Sequence, residues 1–357
     1  MTALSLADRW TPDADGAMVR LAMQLSREML ANSAAIGGTD DSSAKARSAA
    51  AKEAIAIGDR RNIENMLKLA QVDRTVLLPV DRLDGDPWLV GAQNGVVDLR
   101  TGAVREYGRG DFITRRLGCD VDPLAKCPRW EKFMEEVLPD AEVRRFIWKA
   151  AGYSLSGSME EQVFFFLFGC GRNGKSIFTQ TIERVLGDLA GTAGKALLAE
   201  DKWKTHPKRE LAAINGLRLL LGIEVGDSEK LNEEIIKTIT GGDSVEGAHI
   251  YERGFKFRPL CKIWISGNHR PDITGTDDGI WRRVRPVPFL EKFDGDKADR
   301  GLGEKLKAEA SGILNWLIQG CLLWRAEGLH HTAARCPRRA ESARPTSGRL
   351  KGRAGQF

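Results

Sequence analysis

The sequence predicts an α/β protein in which a parallel sheet carries a phosphate-binding loop and a mostly helical region comes first. Between residues 163 and 290, short apolar runs alternate with helical stretches, which is typical of a mainly parallel sheet. The first run, Phe164–Phe168, leads directly into a glycine-rich loop. Upstream of residue 160, helical periodicity is interrupted only by a short segment with the turn and strand signals of a β-hairpin.

These changes of period divide the chain into four parts. The first is Ala-rich and predicted to be helical through residue 70, with apolar residues of its first helix on one stripe (Met18, Leu21, Ala22, Leu25 and Met29). The last is rich in Pro, Arg, Ser and Gly and is predicted to be disordered. We therefore expect a helical segment at 1–85, a helical and β-hairpin domain at 86–160, the sheet domain at 161–328 and a basic tail at 329–357.

Composition excludes several classes of protein. The longest apolar runs are much shorter than a membrane span, and the N-terminus lacks the pattern of a secretory signal. The six cysteines form no C-x-x-C pair, so neither a zinc site nor a disulfide framework is supported, and a reducing cytoplasm is the expected compartment. The net charge is +5, but residues 331–357 contribute seven Lys/Arg and one Glu, +6, which leaves −1 for the rest. Any nucleic-acid site in the body must therefore be a local patch.

The loop after Phe168 fits the pattern G-x-x-x-x-G-K-[ST], and a helix is predicted to follow it. Glycines allow backbone N–H groups to turn toward phosphate oxygens, and a helix N-terminus adds a positive end. Lys175 would reach the β- and γ-phosphates of a nucleotide, and the Ser176 hydroxyl would bind Mg²⁺. The alternative is an ordinary glycine-rich turn. The predicted phosphate-binding residues are Gly169, Cys170, Gly171, Arg172, Asn173, Gly174, Lys175 and Ser176.

Two further strands end in polar residues that suit nucleotide hydrolysis. Glu224 follows the apolar run at 217–223, where a carboxylate can organise metal and water, and Asp227 is a weaker second choice. Asn268 follows the run at 262–267, where an amide can hold the attacking water. Taken singly, each could be a solvated turn residue. Their order after the loop favours the catalytic interpretation.

An arginine pair, Arg282 and Arg283, stands just before a strand-like segment, VRPVPF. An arginine that faces a γ-phosphate across a subunit boundary would stabilise charge in the transition state. The alternative for this pair is a surface salt bridge.

Five segments, taken in order, resemble the helicase part of the phage/plasmid primase family. They are the loop, LLLGIE, the segment from IKTITGGDSVEG to GFKFRP, KIWISGNHRP and TDDGIWRRVRPVPF. Those proteins are superfamily-three helicases related to the poxvirus primase-helicase. Three upstream segments resemble the helical domain that precedes the ATPase in those proteins, namely NGVVDLRTG, CPRWEKFMEEV and GYSLSGSMEEQ. The resemblance covers roughly residues 88 to 328.

The resemblance implies an AAA+-like ATPase that forms a hexameric ring around DNA, with ATP and Mg²⁺ bound between subunits and other replication proteins as further partners. Lys175, Ser176 and Glu224 would act in one subunit, and Asn268 would be its sensor. Arg282, preferred over Arg283, would be the finger supplied by the neighbour. Ser176 and Glu224 are the implied metal ligands.

The resemblance also implies a DNA-gripping β-hairpin between Glu224 and Asn268. Its tip would lie around residues 249–254. Basic side chains there can contact phosphates and a tyrosine can stack on a base. The implied DNA-contacting residues are His249, Tyr251, Arg253 and Lys256. An ordinary hairpin with exposed polar residues is the alternative.

The chain departs from the family at both ends. Only some 85 residues precede the matching region, and Asp13 and Asp15 suit a helix start better than a metal pair, so we expect no primer synthesis. The basic tail suggests a truncated or frame-shifted end, with a DNA-holding arm as the alternative. The main hypothesis is therefore an ATP-dependent DNA helicase of phage, prophage or plasmid replication. The alternative is an inactive remnant that binds nucleotide and DNA, and a small-molecule kinase is disfavoured because the hairpin would have no role.

Overall fold

The computed structural model describes residues 3–6, 9–73, 78–79, 82–199, 208–222, 230–248, 253–268, 278–295 and 299–330. The predicted tail from residue 331 onward and several predicted site residues therefore lie outside the described residues. The chain divides into two compact units. The smaller comprises Met1–Asp86 and Arg105–Arg115, and the larger comprises Pro87–Val104 and Arg116–Phe357.

The smaller unit begins with an antiparallel β-hairpin, β1 (Ala3–Leu6) and β2 (Arg9–Pro12). The prediction of helix throughout residues 1–70 was wrong here, because ALSL and RWTP alternate with the period of a strand. Three helices follow: α1 (Ala17–Ala34), α2 (Asp41–Gly58) and α3 (Arg60–Ala70). The sequence did not indicate the break between α2 and α3, which falls at Asp59, where the backbone is extended.

The start of α1 confirms the interpretation of Asp13 as a helix-start residue. Its carboxylate accepts hydrogen bonds from the N–H groups of Ala17 at 2.7 Å and Met18 at 3.1 Å. The predicted apolar stripe is only partly used, since Ala22 is buried while Leu21 and Leu25 are 54% and 45% exposed. The three helices thus bury mainly small residues against one another.

The larger unit begins with a three-stranded sheet of β3 (Leu89–Gly91), β4 (Val96–Asp98) and β5 (Ala103–Arg105). Helices α4 (Pro128–Val137) and α5 (Ala141–Leu155) follow, and the break between them at Pro139 confirms the prediction. The Asp140 carboxylate caps α5 by accepting from the N–H groups of Glu142 and Val143.

A five-stranded parallel sheet forms the centre of the larger unit. Its strands are β6 (Phe164–Phe168), β7 (Ala190–Ala193), β8 (Leu219–Gly222), β11 (Lys262–Gly267) and β12 (Val284–Pro288). They lie in the order β12-β6-β11-β8-β7, and each neighbouring pair is parallel. The predicted α/β class with a parallel sheet is confirmed. The sequence missed β7, whose AGTA has neither apolar run nor alternation.

The remaining elements cover the sheet or project from it. They are α6 (Lys175–Leu186), α7 (Lys195–Leu198), α8 (Lys208–Ala213), α9 (Glu233–Gly241), β9 (Val245–Gly247), β10 (Phe255–Phe257), α10 (Asp278–Trp281), α11 (Leu302–Ala308) and α12 (Ala310–Glu327). Strands β9 and β10 form an antiparallel hairpin.

Both faces of the sheet are buried, as expected for parallel strands. Along β6, Phe165 and Leu167 join one core with residues of α4, α5, α6 and α12. Phe164 and Phe166 join a second core with residues of α7, α8 and α9. The segments expected to form successive domains, 86–160 and 161–328, share the first core.

Two basic side chains are buried at the edge of the sheet where β8 and β11 begin. Arg218 donates to the carbonyl oxygens of Leu155 at 2.9 Å and Leu89 at 2.8 Å, and Lys262 donates to those of Ser156 and Leu260. Burial, with a smaller effect of the Arg218 charge, lowers the pKa of Lys262 well below its ordinary value. These bonds hold the end of α5 against the sheet.

None of the helices in the described part of the chain is long and apolar enough to cross a membrane.

Candidate functional site

The glycine-rich loop lies at the carboxyl end of β6 and runs into α6. Gly169 has a φ of 153°, and a Cβ there would lie 1.9 Å from the Phe289 carbonyl oxygen. Gly174 is the N-cap of α6 with a left-handed φ of 86°, and a Cβ there would lie 2.6 Å from a methyl of Val137. Only glycine fits at these two positions. The packing around the loop therefore requires both glycines of the G-x-x-x-x-G-K-[ST] pattern.

The segment that follows β12 braces the loop, which the sequence did not indicate. The buried Asn173 side chain donates to the Phe289 carbonyl oxygen at 2.9 Å. The Phe293 N–H donates to the Arg172 carbonyl oxygen at 2.9 Å, and the Arg172 guanidinium lies 2.9 Å from the Asp294 carboxylate. The buried Asn173 side chain and the Arg172 backbone therefore tie the loop to this segment, while the Arg172 guanidinium remains 78% exposed.

The loop presents backbone and side-chain groups of the kind that bind phosphate. The first bond of the α6 ladder runs from the Phe178 N–H to the Gly174 carbonyl oxygen, so the N–H groups of residues 175–177 precede the ladder. Lys175 is buried, with the whole residue 7% exposed, and its ammonium donates to the Gly169 carbonyl oxygen across the loop. Ser176 is exposed beside it. Backbone donors, an ammonium and a hydroxyl at one helix start match the donor set of a P-loop.

Asn268 lies at the same edge of the sheet as the loop. Gly267 at the end of β11 pairs with Phe168 at the end of β6, so the exposed Asn268 follows at the level where the loop begins. Strand β8 flanks β11 on the other side, with Gly222 paired to Ile265. Glu224 stands two residues beyond the end of β8 and lies outside the described residues, as does Asp227.

The arginine pair lies at the opposite edge. Val284, the first residue of β12, pairs with Phe164, the first residue of β6, and the arginines precede it. Arg283 is buried, and its guanidinium donates to the Thr240 hydroxyl at 3.2 Å and the Gly279 carbonyl oxygen at 2.6 Å. Arg282 is exposed. The structure thus gives the two arginines different environments, with Arg283 engaged in its own chain.

Strands β9 and β10 form the stem of the expected hairpin. The cross-strand pairs are Val245–Phe257, Glu246–Lys256 and Gly247–Phe255. Arg253 and Lys256 are exposed. His249 and Tyr251 belong to the tip, which lies outside the described residues.

Two family models match the chain over regions that include these features. Residues 6–139 match the model described as D5 N terminal like, and residues 167–283 match a family of unknown function (DUF5906). The second match contains the loop, the hairpin and the arginine pair. The first begins well before residue 88, so the N-terminal helices belong to the matching region, which the sequence analysis had left out.

The similar proteins come from large DNA viruses. A "Putative helicase" of Acanthamoeba polyphaga mimivirus is 29% identical over 282 residues, covering 70% of this chain and 28% of that protein. A "Putative helicase" of frog virus 3 is 31% identical over 166 residues, 45% of this chain and 17% of that protein. A "Putative primase" of African swine fever virus is 22% identical over 222 residues, 60% of this chain and 23% of that protein.

Fold and loop thus define an α/β protein with a P-loop-type sequence at the carboxyl edge of a parallel sheet. The matches confirm the resemblance to the helicase part of the primase-helicase family. The chain spans less than a third of the length of each of these three relatives.

Proposed function

We propose that this chain is an ATP-dependent DNA helicase of a phage, prophage or plasmid replication system, with an AAA+-like ATPase domain that works as a hexameric ring. The names of the viral relatives support a replication helicase or primase-type activity. The hexameric ring, the use of ATP and the bacterial cytoplasm as the compartment are parts of the proposal that those names do not state. They rest on the residues of the site and on the family resemblance.

The observation that carries this proposal is the separation of Arg282 from the loop of its own chain. The two stand at opposite ends of β6 and β12, five-residue parallel strands in register. A strand of that length spans roughly 13 Å or more. An exposed arginine that cannot approach its own phosphate site is suited to act on the site of a neighbouring subunit.

Within one subunit, the residues at the carboxyl edge of the sheet would divide the work of hydrolysis. The loop backbone and Lys175 would hold the β- and γ-phosphates of ATP, and Ser176 with Glu224 would hold Mg²⁺. Bound Mg²⁺ neutralises charge on the phosphate oxygens. Asn268 would orient the attacking water. Arg282 of the neighbouring subunit would stabilise the charge of the transition state.

The hairpin would convert nucleotide-dependent subunit movements into movement along DNA. Arg253 and Lys256 are exposed on it, and because their side chains are positively charged we expect them to contact phosphates. His249 and Tyr251 would extend this contact at the tip. Because ATP would lie between subunits, its binding and hydrolysis would change the subunit contacts and shift the hairpins.

Strand separation of a forked DNA tests the proposal. Wild-type protein with ATP and Mg²⁺ should release the labelled strand, and Lys175→Ala should abolish release because the β/γ-phosphate contact is lost. Lys305→Ala, which removes an exposed lysine from α11, should unwind normally. If wild type binds ATP and forked DNA yet separates no strands, the inactive-remnant alternative replaces the helicase proposal.

A further inference from the structure

The solvent face of the hairpin carries a carboxylate between two lysines. Glu246 on β9 and Lys256 on β10 are direct cross-strand partners, so their side chains emerge on the same face. The ammonium of Lys208, at the start of α8, lies 3.1 Å from the Glu246 carboxylate. Val245 and Phe257 occupy the opposite face and pack on the second core. The three charged residues therefore form one exposed row, which we call the Lys208–Glu246–Lys256 row.

The packing of α8 against β9 fixes the place of Lys208 in this row. A Cβ on Gly247 would lie 2.8 Å from the Cα of Ala212, so the helix and strand backbones are in direct contact. The Ala248 N–H donates to the Lys208 carbonyl oxygen at 3.1 Å. Leu211 on α8 is buried in the same core as Val245. Lys208 is thus attached to the hairpin stem at its backbone and not only through its flexible side chain.

The ion pair in the row is exposed and therefore exchangeable. The side chains of Lys208 and Glu246 are 50% and 49% exposed. Such exposed pairs contribute little to stability in water, because solvent screens the attraction. An arriving phosphate can therefore replace the carboxylate as the partner of Lys208, while Glu246, with the same sign of charge as the phosphate, opposes that exchange.

We propose that Lys208 is a further phosphate contact for single-stranded DNA, outside the hairpin in sequence but beside Lys256 on its surface, and that Glu246 weakens this contact. The proposal rests on the proposed function, because it assigns DNA to the hairpin. The two lysines attract a phosphate, and the carboxylate between them weakens that attraction, so the phosphate is held and can still be released. A motor that moves along a strand needs such a reversible contact at each step.

The test is the affinity for a labelled single-stranded oligonucleotide, measured by fluorescence anisotropy over a series of salt concentrations. Lys208→Ala should weaken binding roughly fivefold, and the slope of log affinity against log salt should fall in magnitude by about 0.7, as for one lost phosphate contact. Glu246→Gln should strengthen binding several-fold. Both variants break the Lys208–Glu246 ion pair, so damage to the fold would change the affinity of both in the same direction. Opposite changes in affinity therefore indicate a DNA contact.

Lys305 and Asp299 provide matched controls. They form an exposed ion pair at 2.8 Å in the same unit, with side chains 57% and 27% exposed. Lys305→Ala and Asp299→Asn make the same charge changes there and should leave affinity and salt slope unchanged. This control removes the general effect of net charge on DNA binding.

Three results would overturn the inference in different ways. If Lys256→Ala and Arg253→Ala weaken binding but Lys208→Ala matches Lys305→Ala, the hairpin binds DNA and Lys208 has no part in it. If Glu246→Gln weakens binding as Lys208→Ala does, the ion pair acts by supporting the fold. If none of the hairpin variants alters affinity, the DNA site of the proposed function fails together with this inference.

Discussion

The Asn173 side chain has a task in the structure that its place in the motif does not indicate. The motif makes it one of the loop residues around a phosphate, but its side-chain amide is buried against the Phe289 carbonyl oxygen. It therefore ties the loop to the chain that follows β12. The glycines and Lys175 were predictable because their chemistry is local to the motif. The partner of Asn173 is 116 residues away and no local pattern indicates it.

We predict that Asn173→Ala weakens ATP binding about tenfold. The substitution leaves a buried carbonyl without its donor, a loss on the order of 1–3 kcal/mol, and frees the loop to leave its binding conformation. Titration with a fluorescent ATP analogue measures the change. Asn315→Ala is the matched control, because Asn315 also donates to backbone carbonyls, of Asp122 and Ala125. Equal ATP affinity of Asn173→Ala and wild type would contradict this role for Asn173.

Among the elements, β12 connects the two halves of the proposed machinery. It begins after Arg282 and Arg283, and the segment after it carries the carbonyl oxygen that holds Asn173. Its five residues pair with β6 along their full length. A displacement of Arg282 by a neighbouring subunit would therefore be transmitted to the loop at the other end of the same strand.

The crossing of α5 and α12 depends on glycines that bring the backbones into contact. A Cβ on Gly152 would lie 2.1 Å from the Cys321 nitrogen. We predict that Gly152→Ala lowers the free energy of unfolding by about 3 kcal/mol, because neither backbone can withdraw without opening the first core. Gly303→Ala, inside α11 with no atom within 4 Å of its Cβ position, should be neutral or stabilising by up to about 1 kcal/mol. Urea unfolding of both variants measures the difference, and equal midpoints would contradict it.

Some elements were predictable and others were not, for physical reasons. β6, β8 and β11 contribute residues to both cores, and the apolar runs that this requires are visible in the sequence. β7 was missed because its small side chains resemble those of a loop. The sequence predicts an apolar stripe on α1, but Leu21 and Leu25 in that stripe are exposed. Their exposure depends on which helices pack against α1, and the sequence of α1 alone does not indicate this.

At the scale of the molecule, the larger unit is one body, in which the three-stranded sheet, the helices and the parallel sheet share a core. The smaller unit has its own helices. The order of the strands could not be read from the sequence, since short apolar runs carry no information about their neighbours. That order places Asn268 beside the loop and both arginines at the far edge. This arrangement supports our proposal that catalysis requires residues from two subunits.

Steady-state ATP hydrolysis with and without single-stranded DNA, measured for Lys175→Ala, Arg282→Ala and their 1:1 mixture, tests this claim most directly. Wild type should be stimulated by DNA, and each variant alone should be inactive because every site lacks one required group. In the mixture, random assembly gives about one quarter of the interfaces both an intact Lys175 and an intact Arg282, so activity should return to about that level. Full activity of Arg282→Ala, or a mixture no more active than its components, would contradict a site shared between subunits.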